Sequence, residues 1–75
     1  MYIETFAKKL TQARKDAGYT QRQIAEIIKI SKSTIASYET GRTQPDIETL
    51  GKLADFYAVS TDWLIGTKGR NKPET

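Results

Sequence analysis

A chain of 75 residues with a net charge of +3 makes one small domain, and a domain this size buries only about 60% of the surface its unfolded chain exposes. With neither cysteine nor histidine, it has no disulfide framework, no zinc ligand set and no obvious switch near neutral pH, so stability has to come from helix packing, aided by self-association. No apolar run reaches the roughly 18 residues of a membrane span. The first residues lack the basic-then-apolar pattern of a signal peptide, and the absence of cysteine fits a reducing compartment, so the expected setting is cytoplasmic.

The charge is unevenly spread. Residues 1–19 hold Lys8, Lys9, Arg14 and Lys15 against Glu4 and Asp16, net +2; residues 20–45 hold Arg22, Lys29, Lys32 and Arg42 against Glu26 and Glu39, again net +2. Residues 46–66 hold Lys52 against Asp46, Glu48, Asp55 and Asp62, net −3, and residues 67–75 return to net +2 through Lys68, Arg70 and Lys72 against Glu74. This suits a basic two-thirds facing a polyanion with an acidic segment turned away, and it is equally compatible with an ordinary solvated surface.

Apolar spacing is helical throughout, and nothing resembles a strand pair or a repeat. Phe6, Leu10, Ala13 and Ala17 fall on one helical face and Gly18 follows, which predicts a first helix over about 5–17. Thr20 and Gln23 have the spacing of a capping box, with Tyr19 and Ile24 as its hydrophobic staple, so a second helix starts at Thr20 and runs to about Ile28. Ser31 repeats the logic with Ile30 and Ile35, predicting a third helix from about Lys32 to Thr40, stopped by Gly41. Two capped helices separated by so few residues must turn sharply. Pro45-Asp46 opens a fourth helix whose inner stripe is Ile47, Leu50, Ala54 and Tyr57 with Leu53 alongside. Ser60 caps a last short helix, Val59 and Leu64 staple it, and Gly66 ends it. The polar stretch 67–75 reads as a flexible tail or the start of a linker, leaving 1–66 as the domain.

The third helix carries the functional signal. Ile35 and Tyr38 point one way and can pack on Ile24, Ala25 and Ile28, while Lys32, Ser33, Ala36, Ser37 and Thr40 fall on the opposite face. Serine and alanine are odd choices for a solvated face, but their small size lets a helix backbone approach base edges. Lysine can donate to guanine O6 and N7, serine can donate or accept, and alanine can meet a thymine methyl. The alternative is that these are merely tolerable surface residues. Gln21 at the start of the second helix, and Arg42 and Thr43 just after the third, are placed as phosphate contacts. Thr40 and Lys29, at the end of the polar face and in the turn, join them, although each taken singly reads equally as a solvated residue. Arg14 and Glu39 lie near the ends of the first and third helices, where a pair would tie the two together. Spacing alone does not establish it, because exposed pairs contribute little.

The pattern Gln21-x3-Ala25-x5-Ser31-x3-Ile35-x2-Tyr38-Glu39-x-Gly41-Arg42, with the late Val59-Ser60-x-Asp62-Trp63-Leu64 segment, resembles the Cro/repressor-type helix-turn-helix family, often called XRE-like. The resemblance spans about Phe6 to Gly66. It implies an all-α, compact five-helix, lambda-repressor-like DNA-binding domain that acts as a dimer on near-palindromic operators. It implies phosphate contacts from Gln21 and Arg42, base contacts from Lys32, Ser33 and Ser37, and an ion pair between Arg14 and Glu39. One departure stands out: many members of the family have glycine at the turn position held here by Lys29, where positive φ strains any other residue by roughly 1 kcal/mol.

An enzyme fits poorly, since there is no Gly-rich phosphate loop and the carboxylates are scattered along helix surfaces rather than convergent in a pocket. No metal or cofactor is expected. The expected function is that of a transcription regulator, acting as a repressor, on a double-stranded DNA operator. The rivals are an antitoxin or a restriction-modification controller on the same fold, or a module whose third helix binds a regulatory protein partner. Homodimerisation is expected through the last helix: Trp63, Leu64 and Ile65 are consecutive, cannot all enter one core, and leave Trp63 or Ile65 outward.

Overall fold

The computed structural model describes residues 2–66, and these form five helices with no strand among them. They are α1 (Tyr2–Ala17), α2 (Gln21–Ile28), α3 (Lys32–Thr40), α4 (Ile47–Tyr57) and α5 (Thr61–Ile65). The stretch 67–75, read from sequence as a tail, lies outside the described residues. The helix starts follow from local chemistry. Thr20 Oγ1 accepts from the Gln23 backbone at 3.1 Å and Gln23 Oε1 accepts from the Thr20 backbone at 2.8 Å, closing the capping box reciprocally. Ser31, Asp46 and Ser60 cap α3, α4 and α5 by accepting from the backbone N–H three residues on.

Each helix contributes one large side chain that is essentially sealed from solvent: Leu10, Ile24, Ile35, Leu53 and Leu64. Burial of each stabilises by about 1.5–3 kcal/mol relative to exposure. Phe6, Ala25, Tyr38 and Ala54 complete the cluster. α1 is the spine, packing on α3, α5 and α4, while α2 rests on α3. That arrangement leaves the polar side of α3 with no helix over it among the described residues.

Two apolar residues depart from the sequence reading. Ile47 is 88% exposed although the stripe of α4 was expected to include it. At about 100° per residue, Leu50, Leu53, Ala54 and Tyr57 share one arc, and Ile47 sits at its edge in the first turn, ahead of the core. Ala17 is exposed because it lies in the last turn of α1, past the point where Arg14 meets the end of α3. Ala7 is buried instead, beneath the Gly41 turn, where an added Cβ would lie 3.8 Å from its own. α1 also starts at Tyr2, earlier than the spacing implied, with α5 lying along its first turns.

The helix ends show where sequence signals stop. Gly66 is required by space as well as by φ of 89°, since a Cβ there would meet Thr5 Cγ2 at 2.7 Å. Lys29 closes α2 at φ 70°, the left-handed conformation the family resemblance anticipated, and Ala58 closes α4 at φ 57° with no glycine to announce it. Both positions are exposed. The left-handed strain removed by glycine exceeds the entropy glycine adds to the unfolded chain, so Ala58→Gly should gain about 0.5–1 kcal/mol. Thermal unfolding of the variant checks this, and an unfolding temperature at or below that of the parent contradicts it.

Candidate nucleic-acid interface

α3 divides cleanly along its length. Ile35 and Tyr38 are 1% and 8% exposed and belong to the core shared with Ile24 and Ala25, with Ile28 packed against it. On the other side Lys32, Ser33 and Thr40 are exposed and Ala36 and Ser37 are half-buried. The face therefore presents one ammonium at its first turn, then small groups that keep nothing bulkier than a threonine between the helix backbone and an approaching surface. Two of its three hydroxyls are locally engaged: Ser33 Oγ lies 3.3 Å from Ser31 Oγ, which itself lies 2.7 Å from Thr34 Oγ1, and Thr40 Oγ1 donates to the Ser37 carbonyl at 3.2 Å. Hydroxyl rotors of this kind can exchange such partners for external ones at little cost.

The residues flanking α3 are held by its C-terminal turn. The Arg42 and Thr43 backbones both donate to the Ser37 carbonyl, at 3.0 and 3.4 Å, and both side chains are exposed. Lys29 is exposed in the turn between α2 and α3. Gln21 is half-buried at the first position of α2, and its Nε2 donates to Glu39 Oε1 at 3.0 Å.

The structure brings Arg14 and Glu39 together. Arg14 Nε donates to Glu39 Oε2 at 2.8 Å and Nη2 to Oε1 at 3.0 Å, a two-pronged pair whose side chains are only 12% and 4% exposed. Arg14 Nη1 donates to the Tyr19 carbonyl at 2.8 Å, fastening the loop into α2. The hydrogen bond to Glu39 raises the Arg14 pKa, against the opposing effect of burial. Tyr57 of α4 lies within the same electrostatic environment: burial pushes its hydroxyl up to about 12, Glu39 adding to the rise and Arg14 opposing it. The sequence placed Tyr57 only in the inner stripe of α4; neither its link to the Arg14–Glu39 pair nor the Gln21–Glu39 bond was visible there, because partners so far apart along the chain carry no spacing signal.

The raised Tyr57 pKa has a definite sign. The folded state keeps the proton after the unfolded chain, near its ordinary value of 10.0, has lost it. Stability is therefore intact below pH 10.0 and declines as pH climbs toward about 12. Tyr57→Phe should flatten part of that decline, with Tyr38, also raised by burial, retaining some of it. Unfolding temperatures across this window check the point, and identical slopes in both proteins contradict it.

In α5, Trp63 and Ile65 are both half-buried, so neither is fully outward, while Leu64 is sealed in the core. Lys9 Nζ sits 4.6 Å from the Trp63 ring centroid, joining α5 to α1 by a cation–π contact. Ile65 lines a shallow apolar groove of about 130 Å³ with Tyr2, Ile3, Phe6, Pro45 and Leu50. No helix among the described residues is long and apolar enough to cross a membrane.

An apolar-backed helix after a tight left-handed turn, braced by an ion pair to α1, defines a helix-turn-helix module. Comparison with known proteins agrees. The family model described as Helix-turn-helix matches residues 10–64, from the core leucine of α1 to that of α5. The chain belongs to this family, in its Cro/repressor-type branch. It is 44% identical over 62 residues to the HTH-type transcriptional regulator ImmR of Bacillus subtilis (strain 168), covering 83% of this chain and 49% of that protein. It is 36% identical over 78 residues to the SPbeta prophage-derived uncharacterized HTH-type transcriptional regulator YonR of the same organism, covering 93% and 72%. With the cryptic phage CTXphi transcriptional repressor RstR of Vibrio cholerae it shares 33% identity over 69 residues, covering 92% and 62%. The chain spans about half the length of ImmR.

Proposed function

We propose that this chain is a sequence-specific, double-stranded-DNA-binding transcription regulator that represses by occupying an operator, acting by binding and not by catalysis. The observation that carries this reading is α3 itself: one side is sealed in the core and the other presents Lys32, Ser33, Ala36, Ser37 and Thr40, with no helix among the described residues covering it. The major groove is wide enough to admit such a helix. Lys32 and the two serines read base edges, with Ala36 as the site for a thymine methyl. Gln21, Lys29, Thr40, Arg42 and Thr43 contact phosphates on either side. ImmR and YonR carry regulator names and RstR a repressor name, which supports the regulatory role. The setting is the cytoplasm, where an operator is accessible.

Two copies bind together through α5, with Trp63 and Ile65 at the contact, so that the two α3 helices enter the groove about 34 Å apart, one DNA turn. The apolar groove beside Ile65 and the exposed Tyr2 support that placement. The patch is small, so dimerisation is weak in solution and reinforced on DNA. If the folded Ile65→Ala or Trp63→Ala variant loses cooperative binding to a full site and keeps half-site affinity, the contact lies there; full cooperativity in both places it elsewhere.

The direct test of the DNA-binding reading is the dependence of duplex affinity on salt. Each phosphate neutralised adds about 0.9 to the logarithmic slope, so Arg42→Ala should weaken all duplexes alike and reduce the slope by about 1 per affected contact. A changed base preference with an unchanged slope would remove Arg42 from the phosphate contacts. Duplex binding that is insensitive to salt would favour a module whose α3 binds protein.

A further inference from the structure

Gln21 opens α2, and its side-chain amide is already committed on one side. Its Nε2 donates to Glu39 Oε1 at 3.0 Å, the same oxygen that accepts Arg14 Nη2 at 3.0 Å. The other carboxylate oxygen accepts Arg14 Nε at 2.8 Å. Arg14 is fixed in turn through the Tyr19 carbonyl, next to the Thr20 cap that starts α2. The carboxylate is the buried end of this chain of contacts, at 4% exposed, and Gln21 is its half-buried end.

A primary amide has two N–H groups in one plane. With one of them held by Glu39, the plane is set and so is the direction of the second. We propose that Glu39, gripped and neutralised by Arg14, is a positioning residue for DNA binding: it orients Gln21 so that the free N–H meets a backbone phosphate of the duplex. This rests on the DNA-binding reading given above. The neutralisation matters as much as the orientation. A bare carboxylate one amide away from a phosphate would repel it, and the two-pronged guanidinium cancels that charge. The ion pair thus acts on the fold by tying α1 to α3, and separately on affinity through a residue that neither of its members shares.

The consequence is a dependence between residues that a purely structural brace would not produce. Equilibrium binding to an operator-like duplex and to a scrambled duplex is measured well below the unfolding temperature of every variant. In the native chain Gln21→Ala should weaken both duplexes about tenfold, the value of one hydrogen bond to a charged group. The same substitution is then made in a chain carrying Arg14→Ala with Glu39→Ala, which loses one charge of each sign and so keeps the net charge of +3. Binding there is already weakened by a similar factor, and Gln21→Ala should cost under about twofold more. Equal losses in the two backgrounds overturn the proposal, as does no loss from Gln21→Ala in the native chain. In both of those cases the native chain still binds duplex and the DNA-binding reading survives. A native chain that binds neither duplex removes that reading and the proposal with it. If the doubly substituted chain fails to fold, Glu39→Asp replaces it: the shorter side chain keeps a carboxylate in the site but withdraws it by one methylene from Gln21 as well as from Arg14, and the same comparison decides.

Discussion

Arg14→Ala will lower the stability of this fold by about 3–5 kcal/mol, the cost of leaving a buried charge without its partner. The carboxylate of Glu39 is 4% exposed and takes both of its strong hydrogen bonds from the guanidinium. Once Arg14 is gone, the Gln21 amide is the one hydrogen-bond donor left to it among the described residues. The alanine variant also frees the Tyr19 carbonyl, loosening the loop into α2. For a domain of this size each kcal/mol shifts the unfolding temperature by about 4–8 °C, so the expected fall exceeds about 12 °C. Removing Glu39 as well should recover part of the loss, because the orphaned charge then disappears. A double-mutant cycle followed by thermal unfolding measures the coupling. Additive effects, or a coupling inside the 0.2–1 kcal/mol typical of exposed pairs, would contradict the buried-pair account.

Lys32→Ala carries the second large expectation, this time on recognition. Lys32 is the first residue of α3, exposed, and follows the Ser31 cap directly. A lysine there can donate to guanine O6 and N7 in the major groove, a contact that discriminates by about 1–3 kcal/mol. The variant should bind its best site about 5–150-fold less tightly and lose preference at one base pair, a G·C pair, while scrambled duplexes are affected far less. The fold should not notice, since the side chain packs on nothing in the core. Selection from random duplexes with the variant is the check, and an unchanged motif would mean that Lys32 reads no base.

How much of this was legible in the sequence depends on how local each cause is. Thr20, Ser31, Asp46 and Ser60 announced the helix starts because a cap is a hydrogen bond between neighbours three residues apart. The ends at Gly18, Gly41 and Gly66 were legible because glycine is the common residue at positive φ. Ala58 was not, since a left-handed alanine carries no chemical mark; it is held there by the docking of α5 against α4 and α1. Ile47 was misassigned because it lies at the edge of the apolar arc of α4, within helical spacing of Leu50 and Ala54, and only packing leaves it outside the core. The two faces of α3 could be read from periodicity, whereas the Gln21 bond to Glu39 joins residues on different helices and leaves no trace in spacing.

The claim that α3 reads base sequence as half of a two-fold pair is tested most directly by selecting bound sequences from random duplex DNA with the intact chain. The account predicts an enriched, near-palindromic motif whose half-sites are centred about one helical turn, roughly 10 base pairs, apart, with a G·C pair where Lys32 reaches the groove. A folded chain that enriches no motif would contradict it.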